Sequence, residues 1–118
     1  MSGTLIVINS SPYGTENAYN ALRLAIALLE GHPDVAVRLF LMSDGVLCAV
    51  QRQMMPEGVP NIGAMLADAI ARGAEVKACV SCVKARGLTF APLVDGVEVQ
   101  AITDLAAWVM DSDRTIVL

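Results

Sequence analysis

Three strand-length runs, "TLIVIN" (Thr4–Asn9), "VAVRLFLM" (Val35–Met42) and "AEVKAC" (Ala74–Cys79), are separated by segments with helical periodicity. The first is a near-continuous β-branched and aliphatic run, the pattern of a strand covered on both faces, as strands of parallel sheets are. Between the first two runs, Leu22, Ala25, Ile26 and Leu29 form one apolar stripe, which predicts a helix from about Glu16 to Glu30 with Thr15 or Ser11 as its cap. Between the second and third, Ile62, Met65, Leu66 and Ile70 share a helix face; Asn61 is the expected N-cap and Gly73 the expected C-terminal stop. A short helix-like piece, Val46–Val50, carries Cys48. The segment "QRQMMPEGVPN" is broken by Pro56, Gly58 and Pro60 and reads as the most mobile loop. Beyond Cys79 come a turn with extended flanks in "VDGVEV", a helix near Ala101–Met110 and a closing strand "RTIVL".

Strands alternating with helices imply right-handed crossovers and a parallel sheet with helices on both faces. The expected fold class is therefore α/β, a three-layer sandwich with a mainly parallel sheet of about five strands flanked by helices. Residues 1–118 form one domain, since no repeat, low-complexity segment or charge block divides them.

Composition narrows the function. With 55% apolar residues and a formal charge of −4, the chain has no global basic field for direct contact with nucleic acid. Its apolar runs stop far short of the about 18 residues a membrane span needs, and "MSGTLIVINSS" lacks the basic start of a signal peptide. The expected setting is the cytoplasm, with reduced thiols. Apolar content this high exceeds what a small monomer hides, which predicts a homo-oligomer.

In an open α/β sheet, ligands gather beyond the carboxyl ends of the strands. Three segments meet that condition: Asn9–Gly14, Ser43–Gly45 and Cys79–Cys82. The last, in "KACVSCVKARG", sets two thiols three positions apart. A structural zinc site needs four ligands, and the other soft donors are Cys48 and His32, the latter at the opposite edge of the sheet; no metal and no cofactor is expected. A thioredoxin-like redox pair would start a long helix and lacks its usual aromatic and proline context here. Burial as small apolar side chains is the plain alternative, favoured for Cys48 and weighed for Cys82. Cys79 ends a strand before a helical turn and is expected to stand exposed at the rim of the sheet, with Lys84 and Arg86 nearby, conditions that lower a thiol's pKa. No histidine is placed to act as its base, so the expected chemistry is attack on a soft atom: disulfide exchange or sulfur transfer through a persulfide. Tyr13 presents its hydroxyl to the cleft or packs, Gly14 belongs to a loop with no nucleotide-binding motif, and Asp44 is a helix cap in preference to a site acid.

Taken together, "SSPYGTENAYNALRLAIAL", "RLFLMSDGV", "VKACVSCVKARG", "LVDGVEV" and "LAAWVMDSDRTIVL" resemble the DsrE/DsrF-like family, most closely its YchN branch, across nearly the whole chain. The resemblance implies a parallel α/β fold and homo-oligomers, trimers or hexamers. It also implies, for some members, sulfur carried as a persulfide on the strand-end cysteine, which Cys79 matches, with sulfur-donor and sulfur-acceptor proteins as partners. Cys82 matches a second cysteine of the YchN branch that the sulfur-relay subunits lack. The expected function is thus a sulfur carrier or sulfurtransferase with catalytic Cys79 and Cys82, and with Tyr13, Gly14, Asp44, Lys84 and Arg86 around the substrate. The alternatives are a non-catalytic oligomeric module binding a small anion or a protein, and a dithiol redox protein using Cys79 and Cys82.

Overall fold

A computed structural model describes residues 3–118. Five strands form one sheet: β1 (Gly3–Ile8), β2 (Ala36–Leu41), β3 (Glu75–Cys79), β4 (Val97–Gln100) and β5 (Arg114–Val117). Their spatial order is β4-β3-β2-β1-β5, and every pairing is parallel. The helices are α1 (Asn17–Gly31), α2 (Ile62–Ala71), α3 (Val80–Ala85) and α4 (Ile102–Asp111), with a 3₁₀ turn at Ser43–Ala49.

Chain direction explains how the faces are covered. From β1 to β3 the chain steps one way, and right-handed crossovers put α1 and α2 on one face. From β4 it returns across the sheet to β5, so α4 lies on the other. The first face carries the main core: Ile6, Ile8, Val37, Leu39, Leu41, Val76 and Ala78 pack against buried residues of α1 and α2. The second carries a small cluster of Leu5, Val7, Phe40, Cys79 and Trp108. Phe40 and Trp108 meet edge to face, with ring centroids 6.4 Å apart, and the Lys77 ammonium lies 4.3 Å from the Trp108 ring centre.

Most local expectations hold. Asn61 caps α2, its Oδ1 accepting from the Ala64 amide at 2.9 Å, and Gly73 follows with φ +113°. At α1 the expected cap does not form: Glu16 takes the N-cap position with no side-chain cap hydrogen bond, Thr15 Oγ1 accepts from the Asn17 amide at 3.3 Å ahead of the helix, and the Ser11 hydroxyl donates to the Tyr13 carbonyl. Two further expectations change. The piece carrying Cys48 begins earlier, as a 3₁₀ turn at Ser43, because Gly45 lets it press onto the end of β1: a Cβ there would lie 1.9 Å from the Ile8 carbonyl oxygen. The 51–61 loop is anchored, because Gln53 uses both ends of its amide. Its Nε2 donates to the Cys48 and Val50 carbonyls, while its Oε1 accepts from the Tyr13 hydroxyl and the Gly63 amide.

Gly45→Ala forces backbone apart rather than a flexible side chain. Its destabilisation is expected at or above the upper end of the roughly 1–3 kcal/mol typical of overpacking, read as a lower urea midpoint.

Candidate functional site

Cys79 is the last residue of β3 and the N-cap of α3, with φ −66° and ψ 122°. Strand alternation decides its direction: Val76 and Ala78 point into the main core, so Lys77 and Cys79 point to the face under α4. Its register partner on β4 is Gln100. The helix beyond it is only six residues long, because Gly87, with φ +69°, ends it; the Gly87 amide donates to the Lys84 carbonyl and Leu88 to that of Val83. Cys79 therefore does not open the long helix of a thioredoxin-like redox motif.

Cys79 is 2% exposed, so the open, rim-standing thiol expected from sequence is instead a covered one. Strand parity turns it onto the small cluster, and the exposed Ser81 sets its Oγ 3.2 Å from the sulfur. Burial is the largest single influence on the thiol and pushes its pKa up. The Ser81 hydroxyl, and after it the polar groups of Cys82 and the Ser81 amide, together outweigh it and hold the thiol below its ordinary value. Neither amide closes a full cap hydrogen bond. The lowering thus comes from α3's first turn.

Lys84 and Arg86, expected to supply that lowering, do not. They sit at the far end of α3, where Arg86 donates from Nε to Asp44 Oδ1 at 2.9 Å and from its terminal nitrogen to the Cys82 carbonyl at 3.1 Å, while Lys84 is exposed. This also corrects the reading of Asp44 as a cap. Met42 precedes the 3₁₀ turn, and Asp44 lies within its first turn with its carboxylate on Arg86. Cys82 is half-buried, and its Sγ accepts from the Ser43 amide at 3.1 Å. Ser43 has φ +52°, a left-handed conformation uncommon for a residue other than glycine, and it aims the amide at the sulfur.

The structure therefore gathers Cys79, Cys82, Ser81, Ser43 and the Asp44–Arg86 pair at one corner. Tyr13 and Gly14 stand elsewhere, lining a cleft of about 460 Å³ with Met55, Val59, Pro60 and Ile62. The Tyr13 hydroxyl is spent on Gln53 and on the Ile62 amide, so it latches the start of α2, which belongs to the face opposite Cys79. Gly14 has φ +102°, which explains a glycine there on conformation alone. Cys48 is fully buried and its thiol is pushed up to about 12 by that burial, an inert core residue. Among the described residues, no three of His, Cys, Asp and Glu are grouped to hold a metal ion, and no helix is long and apolar enough to cross a membrane. Sequence reasoning passed over Ser81 and Ser43. Ser81 was legible as a hydroxyl inside the first turn after Cys79; Ser43 was not, because its role rests on a backbone angle.

With this geometry in place, the comparisons with known proteins are decisive for kinship. Residues 3–118 match the DsrE/DsrF-like family model. The chain belongs to the DsrE/DsrF-like family. It is 42% identical to protein YchN of Escherichia coli K12 over 116 residues, 98% of each chain. It is 46% identical to an uncharacterised protein of Methanopyrus kandleri over 112 residues, 94% of this chain and 89% of that one. The crystal structure of the E. coli YchN protein superposes with a TM-score of 0.95, covering 100% of both chains. A protein of unknown function from Methanobacterium thermoautotrophicum, 15% identical, shares the fold at a TM-score of 0.74 over 100% of both chains.

Because the Cys79 thiol is held below its ordinary value, its alkylation is expected to set in at lower pH than that of free cysteine, whose pKa is about 8.5. Ser81→Ala removes a hydrogen bond to the thiolate, so the Cys79 rate profile should move to higher pH. Stopped alkylation with peptide mass spectrometry reads both, and should find Cys48 labelled only after unfolding.

Proposed function

We propose that the protein is a sulfur carrier or sulfurtransferase component that holds sulfane sulfur as a persulfide on Cys79. The observation that carries this reading is the Ser81 hydroxyl 3.2 Å from the Cys79 sulfur at the carboxyl end of β3, a contact that favours the anionic form. A thiolate without a neighbouring histidine suits attack on sulfur rather than on carbon, because thiolates exchange readily with soft sulfur electrophiles. In the loading step, the Cys79 thiolate attacks the outer sulfur of a donor persulfide, forming the new S–S bond, and the donor leaves as its thiol. Approach runs past Ser81, whose side chain is exposed while the sulfur beneath it is covered. Kinship with the DsrE/DsrF-like family supports the same chemistry.

Self-association belongs to this reading, in the trimer or hexamer that the family resemblance implies. The five strands span roughly 19 Å across, while one helix with its side chains is about 10–12 Å wide, so α4 leaves much of its face bare. Val117 on that face is 58% exposed, and Met110 and Phe90 are 86% and 97% exposed. Sulfur-donor and sulfur-acceptor proteins complete the set of partners.

Incubation with a cysteine desulfurase and cysteine, quenched with an alkylating agent, should place one extra sulfur on the Cys79 peptide. Cys79→Ser should take none, and Cys48→Ser should load like the parent chain. A Cys79 left unmodified beside a competent donor overturns the proposal. Sedimentation equilibrium of the parent chain should give a multiple of the 12.4 kDa chain mass, shifted towards smaller species by Val117→Asp.

A further inference from the structure

Cys82 is the half-buried thiol for which a carrier on Cys79 has no stated use, and its placement is specific. Residues three apart on a helical turn are neighbours, with Cβ atoms about 5–6 Å apart, so a disulfide, which needs about 3.5–4.5 Å, requires the turn to draw in by an ångström or more. Cys79 stands at the N-cap, outside the helical conformation, and Cys82 in the following turn. Both cysteines border the same cluster of Leu5, Val7, Phe40 and Trp108. The Ser43 amide, held by that residue's left-handed backbone, fixes Cys82 Sγ from the other side at 3.1 Å. Cys48, the remaining thiol, points at the Ser10 carbonyl in the main core on the opposite side of the sheet.

This arrangement sorts the two sulfurs of a Cys79 persulfide. The inner sulfur is that of Cys79, a residue 2% exposed and set against the cluster, Cys82 and Ser81. Ser81, the exposed side chain beside the sulfur, marks the way to solvent for an added outer sulfur, while Cys82, three positions on in the same turn, neighbours the inner one. Resting on the persulfide reading above, we infer that Cys82 is the resolving thiol of a sulfide-releasing half-reaction. The Cys82 thiolate attacks Cys79 Sγ, the Cys79–Cys82 bond forms, the bond between inner and outer sulfur breaks, and the outer sulfur leaves as HS⁻ with its proton. The sulfane sulfur gains two electrons, which the two cysteine sulfurs supply as they become a disulfide. A dithiol reductant then returns both to thiols and is itself oxidised to a disulfide. The product is free sulfide, in place of sulfane sulfur handed to an acceptor protein.

The test uses the full chain in its native assembly, reduced, desalted and loaded with inorganic polysulfide, with excess removed. Sulfide is followed over time by a colorimetric assay, and the chain by non-reducing intact mass. The parent chain should release about one sulfide per chain and end lighter by two hydrogens than its dithiol form. Cys82→Ser and Cys82→Ala should each keep the added sulfur, releasing sulfide at least about tenfold more slowly. Dithiothreitol, removed before reloading with polysulfide, should return the parent chain to its dithiol mass and allow a second round of release. If the parent chain loads but keeps its sulfur as long as Cys82→Ser does, the resolving role is overturned and the carrier reading stands. Movement of the extra sulfur onto Cys82 without sulfide release overturns it equally. If neither the parent chain nor Cys82→Ser takes up sulfur while circular dichroism shows both folded, the carrier reading and this inference fall together.

Discussion

The return crossover from β4 to β5 is the constraint on which the rest of the structure depends. Because the chain travels back across β3, β2 and β1 to reach the far edge, the rule of right-handed connections assigns a single helix, α4, to that face. One ten-residue helix cannot cover five strands, so the core there is reduced to a few residues around Phe40 and Trp108. The opposite face, with α1 and α2, is conventionally thick and supplies most of the buried area. The molecule is thus asymmetric: one face holds most of the core, and the other keeps a thin apolar skin that covers Cys79.

Strand parity then places the sulfur. Had β3 ended one residue earlier or later in register, the strand-end thiol would face the main core and be as inert as Cys48, whose thiol burial pushes up to about 12. On the thin face, Cys79 has the same near-complete cover but a different balance of forces. The cost of burying a thiolate is met by hydrogen bonds from the next turn of chain, and Gly87 keeps that turn so short that its basic residues stand at the wrong end to help. Arg86 and Asp44 instead tie the end of α3 to the 3₁₀ turn. That tie has little energetic weight of its own, since both partners are partly exposed, but it joins two segments that each contact a sulfur.

The fold was legible because the signals for it are local. Continuous apolar runs announced buried parallel strands, the stripe through Leu22, Ala25, Ile26 and Leu29 announced α1, and Asn61 and Gly73 bracketed α2 with side chains whose capping chemistry needs no tertiary partner. The location of the cysteine pair was legible for the same reason, since a strand end in an open α/β sheet is recognisable from element order alone. The surroundings of the pair were not. Asp44 read as a cap because Asp before a short apolar piece usually is one; an arginine far along the chain claimed it instead. The proline-rich 51–61 loop read as mobile, because the four hydrogen bonds of Gln53 connect segments that sequence leaves apart.

By itself, the sequence determined the class of fold, the order of its main elements, the family, and that a cysteine pair stands at the carboxyl end of β3. Those come from periodicity, turn chemistry and residue type, properties that each segment holds before it meets any other. Tertiary structure alone decided that Cys79 is covered, which groups donate to it, that Lys84 and Arg86 do not, and that Ser43 holds Cys82 in place. These depend on which side of a sheet a residue faces and on distances between distant segments, and electrostatic and hydrogen-bond energies are set over a few ångströms of space irrespective of separation along the chain.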